Sequence, residues 1–308
     1  MLKARDVRLV AAFAAVFAGC TVAGPGMAAA RGTDAMCCET TATGVRLASD
    51  GRTVWNFEIE TPEGRPFIHP MFLPSGAPLT ELRPADHVWH LGCWFSWKFI
   101  NGVNYWEPAD AKRKGCEPEG RPRVTGKRID CDGAACTVTL SLEYGPRATG
   151  ETVLDERRTV TFDPPDPRGG YVITFRHKFT AREDVTLDRT PPHGSSEKGW
   201  WGGGYAGFTM RLDPAAAKSF DVRGSSGGAT PAAVTGVERK WLDFTNAANG
   251  EGFTLSQIAG PDTARFYSWP DKRMVNPSPA YAGPITLKKD GTLDLSYRLA
   301  VHAAAAPR

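Results

Sequence analysis

Three of the six histidines, His69, His87 and His90, fall within one short stretch of the chain. The richest run is Asp86-His87-Val88-Trp89-His90-Leu91-Gly92-Cys93-Trp94-Phe95-Ser96-Trp97, preceded by Phe67-Ile68-His69-Pro70. Imidazole titrates near neutrality, so such a group can move protons or ligate a metal. An adjacent carboxylate, Asp86, could orient one ring. Read as a strand from His90, the run turns Leu91, Cys93, Phe95, Trp97 and Phe99 toward a core. His90, Gly92, Trp94, Ser96 and Lys98 then face the other way, as the floor of a polar cleft. Asp86 and His87 follow Pro84 in a loop that could fold over that cleft. The last strand repeats the pattern: Leu293, Leu295, Tyr297, Leu299 and Val301 make its apolar face, and Asp294, Ser296, Arg298, Ala300 and His302 the other. The sequence therefore predicts one cleft holding His87, His90, His302, Trp94 and Arg298. His69 and Asp86 complete the candidate catalytic set. His177 shares its face with Tyr171, Ile173, Phe175 and Phe179 and reads as a core histidine.

Aromatic side chains cover the C–H faces of sugars. Trp94, Tyr105, Trp106 and Trp201 are candidates for that role, with Asn101, Glu107 and Glu197 as polar partners. Asp-His-x-x-His with His69 also fits a mononuclear divalent metal site, although no fourth ligand is indicated and no cofactor is expected. No Gly-x-Ser-x-Gly elbow is present. Gly202-Gly203-Gly204 leads into strand-like sequence and so is no phosphate cradle. The carboxylate pair of most glycosidases has no motif here, which favours histidine-assisted proton transfer.

The elements that must position these groups are strands. Residues 53–59, 136–144, 171–179, 205–212, 253–258 and 293–302 alternate apolar and polar, with Gly, Pro and Asp between them. No long 3.6-residue period appears; Ala215-Ala216-Ala217-Lys218 suits a single helical turn. The expectation is an all-β chain: one antiparallel β-sandwich over residues 46–303, with long loops, a linker at 31–45 and a tail at 304–308.

Residues 1–30 read as an export signal. Lys3, Arg5 and Arg8 precede the apolar run Leu9–Gly19, which is too short to span a bilayer. Cleavage after Ala30 and lipid attachment at Cys20 are both open, so the mature protein is expected in the periplasm or tethered to the outer membrane. Cysteine use suits an oxidising compartment, and Cys131 and Cys136 flank a turn where a hairpin disulfide fits. The formal charge is +3, from 37 Lys+Arg against 34 Asp+Glu, which argues against a nucleic-acid partner. A membrane contact is expected only through Cys20.

From Val54 to His302 the chain resembles a bacterial family of unknown function labelled "methane oxygenase PmoA-like". The likeness rests on Phe67-Ile68-His69-Pro70, Asp86-His87-x-x-His90-x-Gly92-x-Trp94-Phe95, Asn101-Gly102-Val103-x-Tyr105-Trp106 and Tyr297–His302. Where that family usually reads His-His-Arg/Lys-Gly, this chain has Trp89-His90-Leu91-Gly92. A membrane methane oxygenase needs several spanning helices, which this sequence lacks after residue 30. The resemblance instead implies an exported sandwich similar to the galactose-mutarotase-like supersandwich, serving sugar catabolism. Three readings follow: a carbohydrate-active hydrolase or lyase, a non-catalytic sugar-binding or cell-surface module, and a histidine-ligated metal protein.

Overall fold

The computed structural model describes residues 36–108, 110, 117–192 and 203–304. Two eight-stranded antiparallel sheets carry the fold. The first runs, edge to edge, β1 (Cys37–Thr40), β2 (Gly44–Ser49), β3 (Arg52–Glu58), β4 (Phe67–Met71), β5 (Cys93–Ser96), β13 (Gly207–Arg211), β18 (Met274–Ser278) and β17 (Arg265–Ser268). The second runs β14 (Phe220–Gly224), β15 (Trp241–Asn246), β16 (Gly252–Ala259), β20 (Thr292–His302), β11 (Tyr171–Ala181), β10 (Leu154–Phe162), β9 (Ala135–Pro146) and β8 (Gly120–Asp132). Strands β19 (Ile285–Leu287), β12 (Val185–Asp188), β6 (Phe99–Ile100) and β7 (Val103–Asn104) form a third, small sheet that packs into the same core. The expected antiparallel sandwich is what the chain forms. Strand β1 falls inside the stretch expected to be linker. Helix α1 (Pro214–Ser219) is the single turn expected there, capped by Asp213, and a four-residue helix, α2 (Pro231–Val234), follows it.

Period-two alternation decides which face is core. In β11 and β20 the pairs Ile173↔Leu299 and Phe175↔Tyr297 lie in register, and all four residues are buried. Their inward faces meet the first sheet: Tyr297 stacks on Phe208 at 5.1 Å, and Trp55 stacks on Phe162 at 3.9 Å. Burial of this much aromatic and aliphatic surface is the main stabilising term. One charged network sits within that core. The carboxylate of Glu156 accepts from Arg158 Nε at 2.6 Å and Nη2 at 2.9 Å, and takes the Tyr144 hydroxyl hydrogen bond. His177 Nδ1 lies 2.7 Å from the same carboxylate, so His177 is indeed a core histidine. Burial alone would raise the Glu156 carboxyl; Arg158 and His177 outweigh it and hold the group far below its ordinary range.

The site sits on the outer face of the first sheet. Cys93 and Phe95 of β5 enter the main core, whereas Trp94 enters a second apolar cluster with Phe67, Leu91, Trp106, Tyr267 and Met274. Loops cover that face, and all five residues of β13 are buried.

Candidate active site on the outer face of the first sheet

The Asp86–His90 segment is a closed excursion. A bridge between Leu82 and Leu91 pins its two ends, and Arg83 N donates to His90 O at 2.8 Å. Two successive turns fill it: His87 N donates to Pro84 O and His90 N to His87 O, each at 2.9 Å. An i→i+3 turn sets residues i and i+3 on one side. The imidazoles of His87 and His90 accordingly lie 4.7 Å apart, centroid to centroid. Strand β5 begins at Cys93, so His90 is a turn residue and not a strand residue. Gly92 explains the difference: its φ is +76°, and a Cβ there would stand 2.7 Å from Ile68 O and 2.9 Å from His69 Cβ. This kink breaks the alternation and moves Leu91 from the expected core face to the outer cluster.

His90 is buried, with 2% of its surface exposed. Its ring packs on Trp94 at 5.1 Å and edge-on to Trp106 at 6.5 Å. Its Nδ1 has no protein partner. Burial, then the charge of His87 and of Arg211, pushes its pKa well below the ordinary histidine range, so the ring is neutral at neutral pH. His87 is more open, with a quarter of its side chain exposed, and meets Trp269 edge-on at 5.4 Å. Its Nδ1 lies 3.0 Å from Asp86 Oδ2, an ion-pair contact without aligned hydrogen-bond geometry.

Asp86 is fixed from behind. Arg211, only 1% exposed at the end of β13, donates from Nη2 to both Asp86 oxygens at 2.9 and 3.1 Å. Partial burial would raise the Asp86 carboxyl; His87 and Arg211 overcome it and hold the carboxyl down to about 2. Glu81 binds Arg211 at 3.4 Å and Arg273 at 2.6 Å, which extends the network to the loop before β18. Below Trp106, buried Arg65 donates to the Trp106 carbonyl at 3.0 Å. Burial holds the Arg65 guanidinium down to about 10.

The aromatic wall runs from Trp94 to Trp106 at 5.6 Å, Trp106 to Tyr205 at 5.1 Å and Tyr205 to Tyr267 at 6.0 Å. Trp89, Tyr205 and Trp269 are only partly buried. Lys98 pairs with Glu107; burial lowers its pKa against the pull of that carboxylate. Lys98 and Ser96 are both buried, and Ser96 Oγ bonds to the carbonyls of Trp97 and Tyr105, so neither is an open cleft floor.

The structure thus brings together Asp86, His87, His90, Trp94 and Trp106, but Trp94 and Trp106 are fully buried and back the site from within the apolar cluster, a correction to their expected role as sugar platforms. His69 shares the outer face of β4, with Nδ1 3.0 Å from Thr80 Oγ1, and burial followed by Arg83 lowers its pKa. With Phe67, Leu82, Arg83, Glu58 and Glu60 it lines a pocket of about 310 Å³. His302 and Arg298 are a correction to the single-cleft expectation. Both lie on the outward face of β20 in the second sheet, on the opposite side of the sandwich from Trp94. His302 there takes Asp243 at 3.4 Å and Gly250 O at 3.2 Å. Asn101 is a turn residue at φ +50° whose side chain binds Glu183, Asp184 and Thr186, and Tyr105 packs in the main core on Tyr144. Glu197 and Trp201 lie outside the described residues, as does Cys20. Among the described residues, the only three potential metal ligands within 4.8 Å of one another are Cys38, Cys131 and Cys136, so His69, His87 and His90 do not converge as a ligand set.

Arg211, Arg65, Glu81 and Trp269 were not read from sequence as site residues. The available signal was a lone cation closing an otherwise uncharged strand, as in Gly207-Phe208-Thr209-Met210-Arg211.

No helix among the described residues is long and apolar enough to cross a membrane. No curated protein matches the chain. Among solved structures, the chain is similar to the alpha-galactosidase from Lactobacillus brevis at 12% identity and a TM-score of 0.40, over 87% of this chain and 39% of that one. It therefore spans about two-fifths of that protein's length. The PmoA-like label rests on the motif resemblance alone. Residues 44–308 match the model of a family of unknown function, DUF6807, and the chain belongs to that family.

Proposed function

We propose that this protein acts on a small carbohydrate by histidine-assisted proton transfer, with His87 as the proton-carrying group. The observation that carries this reading is the Asp86–His87–His90 stack seated on a wall of Trp94, Trp106, Tyr205 and Trp269. Asp86 stands 3.0 Å from His87 Nδ1, and Arg211 holds Asp86 ionised. His90, desolvated and neutral, offers a ring behind His87 that does not compete for the proton. Partly exposed aromatics beside it suit the apolar face of a sugar ring.

The carboxylates near the stack favour elimination or epimerisation over two-carboxylate hydrolysis. Glu81 and Asp86 share Arg211, and Glu107 is tied to Lys98. Each is held in an ion pair, and none stands as the free carboxylate pair that flanks the bond a glycosidase cleaves. The test is His87→Gln against a panel of sugars and glycosides: turnover falls by about 10²–10⁴ while sugar affinity is largely kept. Equal loss of affinity and turnover would count against it.

The burial of His90 favours a second reading, a non-catalytic sugar-binding module. There His87→Gln changes affinity alone and no turnover exists to lose. The basic and apolar N-terminus supports export, which intact mass decides by the absence of Met1–Ala30.

A further inference from the structure

Away from that site, three sulfur atoms meet where the first strand crosses the β8–β9 hairpin. Cys131 and Cys136 are joined in a disulfide across the hairpin, and the Cys38 sulfur lies within 4.8 Å of both. Strand β1 is fixed to the turn by its backbone: Cys38 N donates to Gly133 O at 2.8 Å, and Cys38 Sγ to Ala134 O at 3.4 Å. Cys38 is half-buried and carries a free thiol; Cys131 is exposed and Cys136 is buried. A third thiol beside a disulfide is a prerequisite of thiol–disulfide exchange.

We propose that Cys38, Cys131 and Cys136 form an intramolecular exchange site. The Cys38 thiolate attacks Cys136 Sγ, a Cys38–Cys136 bond forms, the Cys131–Cys136 bond breaks, and Cys131 leaves as a thiolate that takes up the proton Cys38 lost. No external oxidant or reductant enters. Solvation selects the direction. Attack on Cys136 releases charge on the exposed Cys131, whereas attack on Cys131 would release it on a buried sulfur. The product ties β1 of the first sheet to β9 of the second. It also closes a far longer ring than the native bridge, whose sequence separation is 5, and so constrains the unfolded chain more. Burial, then the neighbouring Cys37, raises the Cys38 thiol to about 11, so the exchange is slow near neutrality and quickens in base.

The test is disulfide mapping of the folded, full-length protein held under argon at about pH 9, where the thiolate fraction rises and no oxidant is present. Samples are acid-quenched, alkylated and digested without reduction. The expected result is a Cys38–Cys136 peptide growing at the expense of Cys131–Cys136, with Cys131 becoming alkylated. Cys38→Ser is expected to keep only the native bridge. Cys131→Ser is expected to close Cys38–Cys136 on mild oxidation with a raised Tm, which shows that the folded chain accommodates the bond. Absence of the Cys38–Cys136 link in the parent protein, or a link through Cys37 in its place, would overturn the proposal.

Discussion

Acidification should weaken this fold through its buried imidazoles, and His90 gives the sharpest test. An unfolded chain protonates histidine near pH 6.5. Folded His90 resists protonation, first because it is buried and then because His87 and Arg211 repel the added charge; Asp86 pulls the other way without prevailing. Below the unfolded pKa the unfolded chain therefore binds the proton that the folded chain refuses. Stability falls there by up to about 1.4 kcal/mol per pH unit for one such group. Between about pH 6.5 and about pH 5 the loss reaches at most about 2 kcal/mol for a ring that stays neutral throughout. His69 and His177 are lowered as well, both chiefly by burial, and add losses of the same sign. His302 has the opposite sign. Asp243 raises its pKa, so its contribution is fully present below about pH 6.5 and is lost as pH rises through the folded value. The assay is urea unfolding of the parent and His90→Gln at about pH 7.5 and about pH 5. The other histidines are common to both proteins and cancel in the difference. The variant should lose up to about 2 kcal/mol less than the parent on acidification. An identical loss in both proteins would refute the reasoning that burial keeps His90 neutral.

Three other outcomes follow from the geometry. Glu156→Gln should cost about 3–5 kcal/mol in urea unfolding, because it leaves Arg158 buried without its counter-ion. Gly92→Ala should lower stability by about 1–3 kcal/mol, since φ of +76° and the Ile68 carbonyl leave no room for a Cβ, and the His69 ring resonances should move with it. Trp94→Ala should cost about 3–5 kcal/mol by opening a cavity between His90 and Trp106, and should weaken sugar binding in a fluorescence titration.

Much of the fold was legible because β11 and β20 alternate cleanly, with one face apolar in each. Two of the strands that were missed show why: one has a buried face that is not apolar, and the other has two wet faces. Strand β10 buries Glu156 and Arg158 beside Leu154, Val160 and Phe162, so its period is masked by an internal ion pair. Strand β8 is an edge strand whose Lys127, Arg128 and Asp130 stand in solvent, leaving little period to find. The candidate site was half legible. The spacing of His87 and His90 carried a real juxtaposition, because two tight turns convert a three-residue step into a ring stack. His302 and Arg298 misled for a definable reason: alternation says which residues of a strand share a face, and not which of two sheets owns that face. Arg211 escaped notice because its partners, Asp86 and Glu81, lie more than a hundred residues away in the chain.

The central claim, that the His87–His90 stack and its aromatic wall form the sugar site, is tested most directly by histidine side-chain NMR during titration with mono- and disaccharides. The account predicts that a binding sugar shifts the His87 and His90 ring signals while His302, across the sandwich, stays still. A sugar that binds and moves His302 or another surface, leaving His87 and His90 unchanged, would contradict it.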